Sequence, residues 1–197
     1  MSLLLLDLDG VLRRFGPDSG IEDEFGLPRG TLASVAFGLA GPALVGEVSD
    51  EEWRTAVRDR LADDFGPSAA RDAVAAWTRV GEVIPEALTL VRTVRQRHRV
   101  ALFSNATTRL PEDLRTLGLD REVDDVVSSA LIGAAKPTPE AFRRALAQLR
   151  VSADETVFCD DNAENAAGAK AVGIDGVHVP DAAALREALA DRGLLDG

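Results

Sequence analysis

Two aspartates separated by one residue follow an unbroken run of leucines near the start of the chain. The run is Leu3–Leu6, the acids are Asp7 and Asp9, and Gly10 comes directly after them. A short continuous apolar segment predicts a β-strand that is buried on both faces. Because an unpaired carboxylate is costly to bury, acids at the end of such a strand indicate a site where a cation or a reacting group meets them.

Further polar residues follow two later apolar segments. The segment RVALF is followed by Ser104 and Asn105, and the segment TVFC is followed by Asp160 and Asp161. Lys136 lies between them in GAAKPTPE, a loop that leads into a predicted helix. Ligands of a parallel α/β sheet bind outside the carboxyl ends of its strands. We therefore expect these side chains to converge on the edge that carries the opening pair of acids.

The residue types at this edge suit a divalent cation and a phosphate group. Carboxylates placed side by side raise one another's pKa, and a divalent cation relieves that repulsion. A small set of oxygen ligands suits Mg²⁺, which keeps several waters and binds together with substrate phosphate. The two histidines, His98 and His178, lie far from the acids in the sequence, so a zinc site is not indicated. Lys136 can hold a phosphate oxygen, and Ser104 and Asn105 can donate hydrogen bonds to the same phosphate.

The opening pair of acids divides naturally into two chemical roles. Asp7, at the strand tip, is suited to nucleophilic attack that forms an aspartyl-phosphate. Asp9 lies two residues on and shares a face with Asp7 in an extended chain, so it is a candidate to protonate the leaving oxygen and then to activate water. Gly10 lets the backbone turn sharply away. The hypothesis is therefore that one acid attacks while the other transfers the proton.

Strands and helices alternate over most of the chain. The predicted strands are Ser2–Leu6, Arg99–Ser104, Asp125–Ser129, Thr156–Asp160 and Gly176–Val179. The predicted helices that alternate with them are Glu86–Arg97, Thr108–Leu117, Pro139–Arg150, Ala163–Val172 and Asp181–Arg192. This alternation predicts an α/β fold with a Rossmann-like, doubly wound parallel sheet covered by helices on both faces.

A helical block interrupts this pattern after the first strand. Residues 16–83 show helical periodicity and no convincing strand, and Ser49 with Glu52 forms a predicted capping box at the start of one helix. We expect an all-helical domain over residues 16–83, inserted into an α/β core domain made of residues 1–15 and 84–197.

Composition limits the partners and the compartment. The net charge of −11 and the pI of about 4.7 argue against nucleic acid as the main partner, although a local site can still attract a small anion. The single cysteine, Cys159, excludes an intrachain disulfide and is expected to pack in the core. The apolar stretch at the start is too short for a membrane span and lacks the basic residues of a signal peptide. A cytoplasmic protein without a membrane partner is expected.

Taken together, the motifs resemble those of the haloacid dehalogenase superfamily of phosphohydrolases. DLDGVL (Asp7–Leu12) is similar to the family's first motif, FSNAT (Phe103–Thr107) to the second, Lys136-Pro137 to the third, and FCDDNAENAAGAKAVG (Phe158–Gly173) to the fourth. Any one of these motifs is a weak or moderate signal, but four in order with suitable spacing are specific. The resemblance covers the predicted core and leaves residues 16–83 without a motif.

The resemblance implies a role for each matching residue. Asp7 would be the nucleophile and Asp9 the general acid/base, and the phosphate would be held by Ser104, Asn105 and Lys136. The metal site for Mg²⁺ would draw on Asp7, Asp9, Asp160 and Asp161, with Asp9 contributing its backbone carbonyl and Asp161 favoured over Asp160 as a direct ligand. The inserted block would be a helical cap that selects a small phosphorylated metabolite, with a sugar phosphate as the first guess. A monomer or a homodimer is expected.

Several alternatives stay open at this point. A sugar-phosphate mutase shares the same motifs, and a haloacid dehalogenase shares the nucleophile but lacks an acid at the position of Asp9. A binding or regulatory protein on the same scaffold is a further alternative. Arg13 and Arg14 either attract an anionic substrate or lie in solvent, and Asn165 is a candidate to steady the metal loop.

Overall fold

A parallel sheet of five strands forms the centre of the computed structural model, which describes residues 3–195. The strands in chain order are β1 (Leu3–Leu6), β2 (Arg13–Arg14), β3 (Glu82–Val83), β4 (Arg99–Ser104), β5 (Asp125–Ser128), β6 (Thr156–Asp160) and β7 (Asp175–His178). The sheet has the order β5-β4-β1-β6-β7, with every neighbouring pair parallel. The predicted doubly wound α/β fold is confirmed. Ser2, the predicted first residue of β1, lies outside the described residues.

The helices of the described part alternate with these strands or form the inserted block. In chain order they are α1 (Ser19–Phe25), α2 (Thr31–Leu39), α3 (Gly41–Leu44), α4 (Asp50–Phe65), α5 (Pro67–Trp77), α6 (Pro85–Val94), α7 (Leu110–Leu117), α8 (Ser129–Ile132), α9 (Pro139–Leu149), α10 (Ala163–Lys170) and α11 (Ala182–Ala190). The core helices lie where they were predicted, with ends that differ by at most three residues. Each helix within residues 3–195 is too short or too polar to traverse a bilayer.

The leucines of β1 explain why the first strand is apolar without alternation. Leu4 and Leu6 pack in one cluster with residues of α6, α7 and α11. Leu3 and Leu5 point to the opposite face and pack in a second cluster with residues of α9 and α10. Because successive side chains of a strand point to opposite faces, a central strand covered by helices on both sides requires apolar residues at every position.

Helices α1 to α5 form the inserted block and have a hydrophobic cluster of their own. The cluster contains Ile21, Leu27, Leu32, Ala36, Val57, Leu61, Ala70, Ala73 and Val74. Ser49 and Glu52 form the predicted capping box at the start of α4. The block therefore has its own apolar interior, as an inserted unit requires.

Two short connecting segments join the block to the sheet. They pair with each other as β2 and β3, an antiparallel ribbon in which Arg13 lies opposite Val83 and Arg14 opposite Glu82. The prediction that residues 16–83 contain no strand is therefore wrong at its end. Two residues are too few to show the alternation by which a strand is recognised in a sequence.

Candidate active site

The ammonium group of Lys136 lies between two carboxylates at the carboxyl edge of the sheet. Its Nζ donates to Oδ1 of Asp7 at 2.8 Å and to Oδ2 of Asp160 at 2.7 Å. All three residues are buried. A buried ion pair is stable only when close contacts offset the loss of hydration, so the lysine and the two carboxylates form one tightly coupled unit.

The strand register brings the two carboxylates together. β1 and β6 are neighbours, and their register pairs Leu6 with Cys159. The next residue on each strand is an aspartate, so Asp7 and Asp160 lie side by side at the end of the sheet. The predicted convergence of the first and fourth motifs is thus a consequence of parallel pairing.

Asp160 is fixed by neutral donors as well as by the lysine. Nδ2 of Asn165 lies 3.1 Å from Oδ1 and 3.0 Å from Oδ2, and the backbone N–H of Asn162 donates to Oδ1 at 2.8 Å. Asn162 also caps α10 with its side chain. Asn165 was predicted to steady the loop after β6, and its contact with Asp160 is present. Together with the N–H of Asn162, this contact restricts rotation of the Asp160 carboxylate.

Asp161 brings a third carboxylate to the site. One carboxylate oxygen each from Asp7, Asp160 and Asp161 lie within 4.8 Å of one another. Partial burial and the neighbouring Asp160 raise the pKa of Asp161. Gly10 makes room for this side chain, because a Cβ at that position would lie 2.0 Å from Oδ2 of Asp161. Three convergent carboxylates form a donor set suited to a hard divalent cation.

Asp7, the candidate nucleophile, has a raised pKa. Burial, opposed by Lys136 and reinforced by Asp160, raises the pKa of Asp7 to about 7. The proton is held because two neighbouring carboxylates share one ammonium group away from water. A cation bound at these carboxylates would remove the cause of the shift.

Asp9 is oriented differently from the other acids. Nε of Arg13 donates to its Oδ1 at 2.6 Å and Nη2 donates to its Oδ2 at 3.1 Å. Its carboxylate is not part of the cluster formed by Asp7, Asp160 and Asp161 among the described residues. A metal contact through the Asp9 side chain is therefore not favoured here, and the contact through its backbone carbonyl stays a prediction.

The two arginines after the first motif have different surroundings, and only Arg13 differs from both sequence-based alternatives. Arg13 is buried and pairs with Asp9 and Asp113, so it neither lies in solvent nor faces outward to attract a substrate. Arg14 is largely exposed and pairs loosely with Glu82. No sequence pattern indicates the pairing of Arg13 with Asp113, because Asp113 is distant along the chain and belongs to another element.

Ser104 ends β4 with an unpartnered hydroxyl. Its Oγ is buried and has no hydrogen-bond partner within residues 3–195. Ser128 lies opposite Ser104 in the register of β4 and β5, and its Oγ is likewise buried and unpartnered in the described chain. Buried polar atoms without partners require an explanation, and a ligand oxygen would supply one. Sequence reasoning found Ser104 and missed Ser128, which follows an ordinary strand.

Asn105 is committed to the backbone of the lysine loop. Its Nδ2 donates to the carbonyl of Lys136, and its Oδ1 accepts from the N–H of the same residue, each at 2.8 Å. These two bonds hold the lysine loop. Because Nδ2 carries a second N–H, the predicted contact between Asn105 and a phosphate stays a prediction.

Two other residues, Cys159 and His178, lie next to the acidic cluster without belonging to it. Cys159 is buried in the core, where burial raises the pKa of its thiol to about 12, so the thiol is inert. His178, the last residue of β7, places Nε2 at 2.9 Å from the carbonyl oxygen of Asp161. Sequence reasoning assigned His178 only a place in the strand, because its partner lies on the neighbouring loop.

A comparison with family models agrees with this arrangement. The model described as haloacid dehalogenase-like hydrolase matches residues 1–173. The chain belongs to this family of hydrolases. The predicted family membership, and with it the prediction of an enzyme, is confirmed.

Curated relatives of this haloacid dehalogenase-like hydrolase include phosphatases. Phosphoglycolate phosphatase of Cupriavidus necator is 32% identical over 189 residues, which cover 87% of this chain and 77% of the relative. A sesquiterpene phosphatase of Aspergillus oryzae is 44% identical over 61 residues, which cover 31% of each protein. The second match thus spans about a third of that relative's length.

Solved structures share the fold at low identity. A family enzyme of Bacteroides thetaiotaomicron, crystallised with magnesium and inorganic phosphate, has a TM-score of 0.68 and 20% identity, covering 90% of this chain and 93% of that one. An L-2-haloacid dehalogenase has a TM-score of 0.71 and 21% identity, covering 97% and 99%. Since one fold carries different reactions, these likenesses support the architecture.

Proposed function

We propose that this hydrolase is a Mg²⁺-dependent phosphatase that releases phosphate from a small phosphorylated metabolite through an aspartyl-phosphate on Asp7. The observation that carries the proposal is the position of Lys136, whose ammonium group bridges Asp7 and Asp160. A carboxylate can attack an anionic phosphate only where nearby positive charge masks the repulsion. The lysine supplies part of that charge at the attacking group itself.

The donor set fits a magnesium ion. Asp7, Asp160 and Asp161 would hold it, and the backbone carbonyl of Asp9 is a further candidate. The fit depends on oxygen-only ligands within 4.8 Å of one another and on Gly10, which leaves space for Asp161. When bound, the ion would neutralise the carboxylates and polarise the phosphate oxygens. A related structure that holds magnesium and phosphate supports this assignment.

Residues of the protein then account for the transfer of the phosphoryl group and for both proton transfers. Oδ1 of Asp7 is held by Lys136, which leaves Oδ2 to form the bond to phosphorus as the bond to the leaving oxygen breaks. Asp9 gives its proton to that oxygen. Afterwards it takes a proton from the water that attacks phosphorus, which breaks the bond between phosphorus and Oδ2 of Asp7 and releases phosphate. Ser104, with its unpartnered Oγ, and Lys136 would hold the phosphate oxygens.

We assign the choice of substrate to the inserted helical block, acting as a cap. The block contacts the loop after Ser104 at the site edge, because Oγ1 of Thr107 donates to Oδ1 of Asp50 at 2.7 Å and the Asp50 N–H donates to Oγ1 of Thr108 at 3.0 Å. A lid over a reacting centre excludes water and selects small ligands. The named relatives act on phosphoglycolate and on a sesquiterpene phosphate, which supports a small phosphate ester. The sugar-phosphate guess stays a prediction.

Release of phosphate or halide from a panel of substrates tests the proposal. The panel contains sugar phosphates, phosphoglycolate, a prenyl phosphate, an aryl phosphate and a 2-haloacid, each assayed with Mg²⁺ and with EDTA. Phosphate release that EDTA abolishes is the expected result. Halide release without Mg²⁺ would contradict the proposal in favour of a dehalogenase, and an isomerised sugar phosphate without free phosphate would contradict it in favour of a mutase.

A further inference from the structure

We propose that Arg13 is a positioning residue that holds the side chain of Asp9, the proton-transfer carboxylate, in one orientation. Arg13 also connects Asp9 to the two segments that join the helical block to the sheet. The inference rests on the proposed function, because it assigns Asp9 to proton transfer. It adds a residue outside the motifs by which the chain resembles its family.

The contact between Arg13 and Asp9 fixes both distance and plane. Nε and Nη2 of Arg13 donate to the two different oxygens of Asp9, at 2.6 Å and 3.1 Å. Two parallel hydrogen bonds from a planar guanidinium hold a carboxylate in one orientation, which a lysine cannot do. The contact is therefore specific for arginine.

Asp9 needs such a partner because packing does not hold it. Its side chain is 43% exposed, whereas the side chain of Arg13 is 6% exposed. Asp9 pairs with no other cation among residues 3–195. A partly exposed aspartate before a glycine can adopt several rotamers, so the buried arginine selects one of them.

Arg13 is itself anchored on three sides. Its Nη1 donates to Oδ2 of Asp113 in α7 at 3.1 Å and to the carbonyl of Val80 at 3.4 Å. Its backbone pairs with Val83 across the β2–β3 ribbon. Gly81 leaves room for the side chain, since a Cβ there would lie 3.0 Å from Cγ of Arg13. Arg13 thus joins Asp9 to the core helix α7 and to both connections of the helical block.

A purely structural role for Arg13 explains these contacts less well. Asp113 has a second cation within 2.9 Å, because Nε of Arg109 lies close to its Oδ1. Asp113 therefore keeps a partner when Arg13 is changed, and Asp9 does not. Loss of the Arg13 side chain would therefore affect the orientation of Asp9 more than that of Asp113.

The test compares two leaving groups. An alkyl phosphate needs a proton on its leaving oxygen, whereas a nitrophenyl phosphate releases a stable anion without one. We measure kcat/KM for both esters with Mg²⁺, since this ratio reports the steps that form the aspartyl-phosphate. The variants are Arg13→Lys, Asp113→Asn and Asp9→Asn. The matched control is Arg99→Lys, because Arg99 makes a similar contact to Asp125 and to the carbonyl of Leu149 at the opposite end of the sheet.

The expected pattern is selective. Asp9→Asn lowers kcat/KM for the alkyl ester by about 100-fold or more, and Arg13→Lys lowers it by about tenfold for the same reason. Both variants change the value for the nitrophenyl ester by less than about threefold, because proton transfer contributes little to that reaction. Asp113→Asn shows a weaker form of the same pattern, and Arg99→Lys shows none of it.

Other results overturn the inference. Equal losses on both esters, or no loss on either, in Arg13→Lys and in Asp113→Asn would show that Arg13 does not act through Asp9. The two variants are used together because Asp113→Asn leaves Arg13 and Asp9 intact if Arg13→Lys fails to fold. A wild-type enzyme that releases phosphate from neither ester and from no substrate of the panel above would instead overturn the proposed function on which the inference rests.

Discussion

Asn105 and Lys136 exchange two hydrogen bonds, in which the side-chain amide of one residue pairs with the backbone of the other. Nδ2 of Asn105 donates to the Lys136 carbonyl and the Lys136 N–H donates to Oδ1 of Asn105, each at 2.8 Å. The pair ties the loop that carries the lysine to the end of β4. The ammonium group can therefore lie between Asp7 and Asp160 without a helix or strand of its own to support it.

Asn105→Ala is expected to lower kcat by about tenfold to 100-fold, because a displacement of about 1 Å at a reacting group costs on that order. The fold should survive, since the lost contacts lie in a loop. Steady-state kinetics and melting curves with Mg²⁺ would measure both effects. Gln148→Ala is the matched control, because Gln148 also donates from a side-chain amide to a backbone carbonyl, that of Val126, at 3.1 Å. A kcat equal to that of the control would contradict this role of Asn105.

Gly10→Ala is expected to remove the stabilisation that Mg²⁺ gives to the protein. The new Cβ would lie 2.0 Å from Oδ2 of Asp161, so the carboxylate must move away from the cluster. A cation at 100 times its Kd stabilises the native state by about 2.7 kcal/mol, which melting curves with and without Mg²⁺ would detect in the wild-type protein. Gly26→Ala controls for backbone strain, because Gly26 also has a positive φ but nothing within 4 Å of its Cβ position. If Gly10→Ala kept the full rise in melting midpoint, Asp161 would not be a metal ligand.

Asp7→Asn is expected to stabilise the metal-free protein in a pH-dependent way. The pKa of Asp7 is raised from 3.8 to about 7 in the folded chain. The stability linked to its proton is therefore fully present below about pH 4 and is lost as the pH rises through about 7. The difference between the two pKa values corresponds to at most about 4 kcal/mol of unfolding free energy. Urea unfolding of both proteins in EDTA from pH 4 to pH 8 should show the difference in free energy growing in favour of the variant. A difference that stays constant with pH would contradict the shift.

Glu22→Gln is expected to destabilise the helical block. The buried carboxylate of Glu22 accepts from the N–H groups of Gly30 and Leu32, each at 2.9 Å, at the start of α2. Glutamine offers one acceptor in place of two and turns an amide N–H₂ toward a backbone donor, which costs about 1 to 3 kcal/mol. Urea unfolding would measure this loss against Glu24→Gln, a change at a neighbouring exposed position. Equal stability of the two variants would show that these hydrogen bonds contribute nothing.

The sheet and the convergence of the acids could be predicted because both follow from local patterns. A strand buried on both faces leaves a continuous apolar run, and β1, β4 and β6 each end in polar residues. Parallel pairing then brings those ends to one edge, as it does for Asp7 and Asp160. The boundaries of the core helices followed from the period of their apolar residues and from Pro85 and Pro139 in first turns.

The contacts that orient the site could not be predicted, because they join residues that no sequence period relates. Arg13 meets Asp113 across 100 positions, and Asn105 meets Lys136 across 31. Nothing in the sequence separates an arginine that pairs in the interior from one, such as Arg14, that extends into solvent. The β2–β3 ribbon was missed for a different reason, since its strands have two residues each.

Phosphate release by the wild-type protein and by Asp7→Asn, measured with Mg²⁺ on the best substrate of the panel, is the most direct test of an aspartyl-phosphate on Asp7. We expect the wild-type rate to vanish in EDTA and Asp7→Asn to lose activity by about 1,000-fold or more, since the bond to phosphorus cannot form. Melting curves of the same samples should show a folded variant, so that the loss reports chemistry. A folded Asp7→Asn protein that releases phosphate at the wild-type rate would show that Asp7 is not the nucleophile.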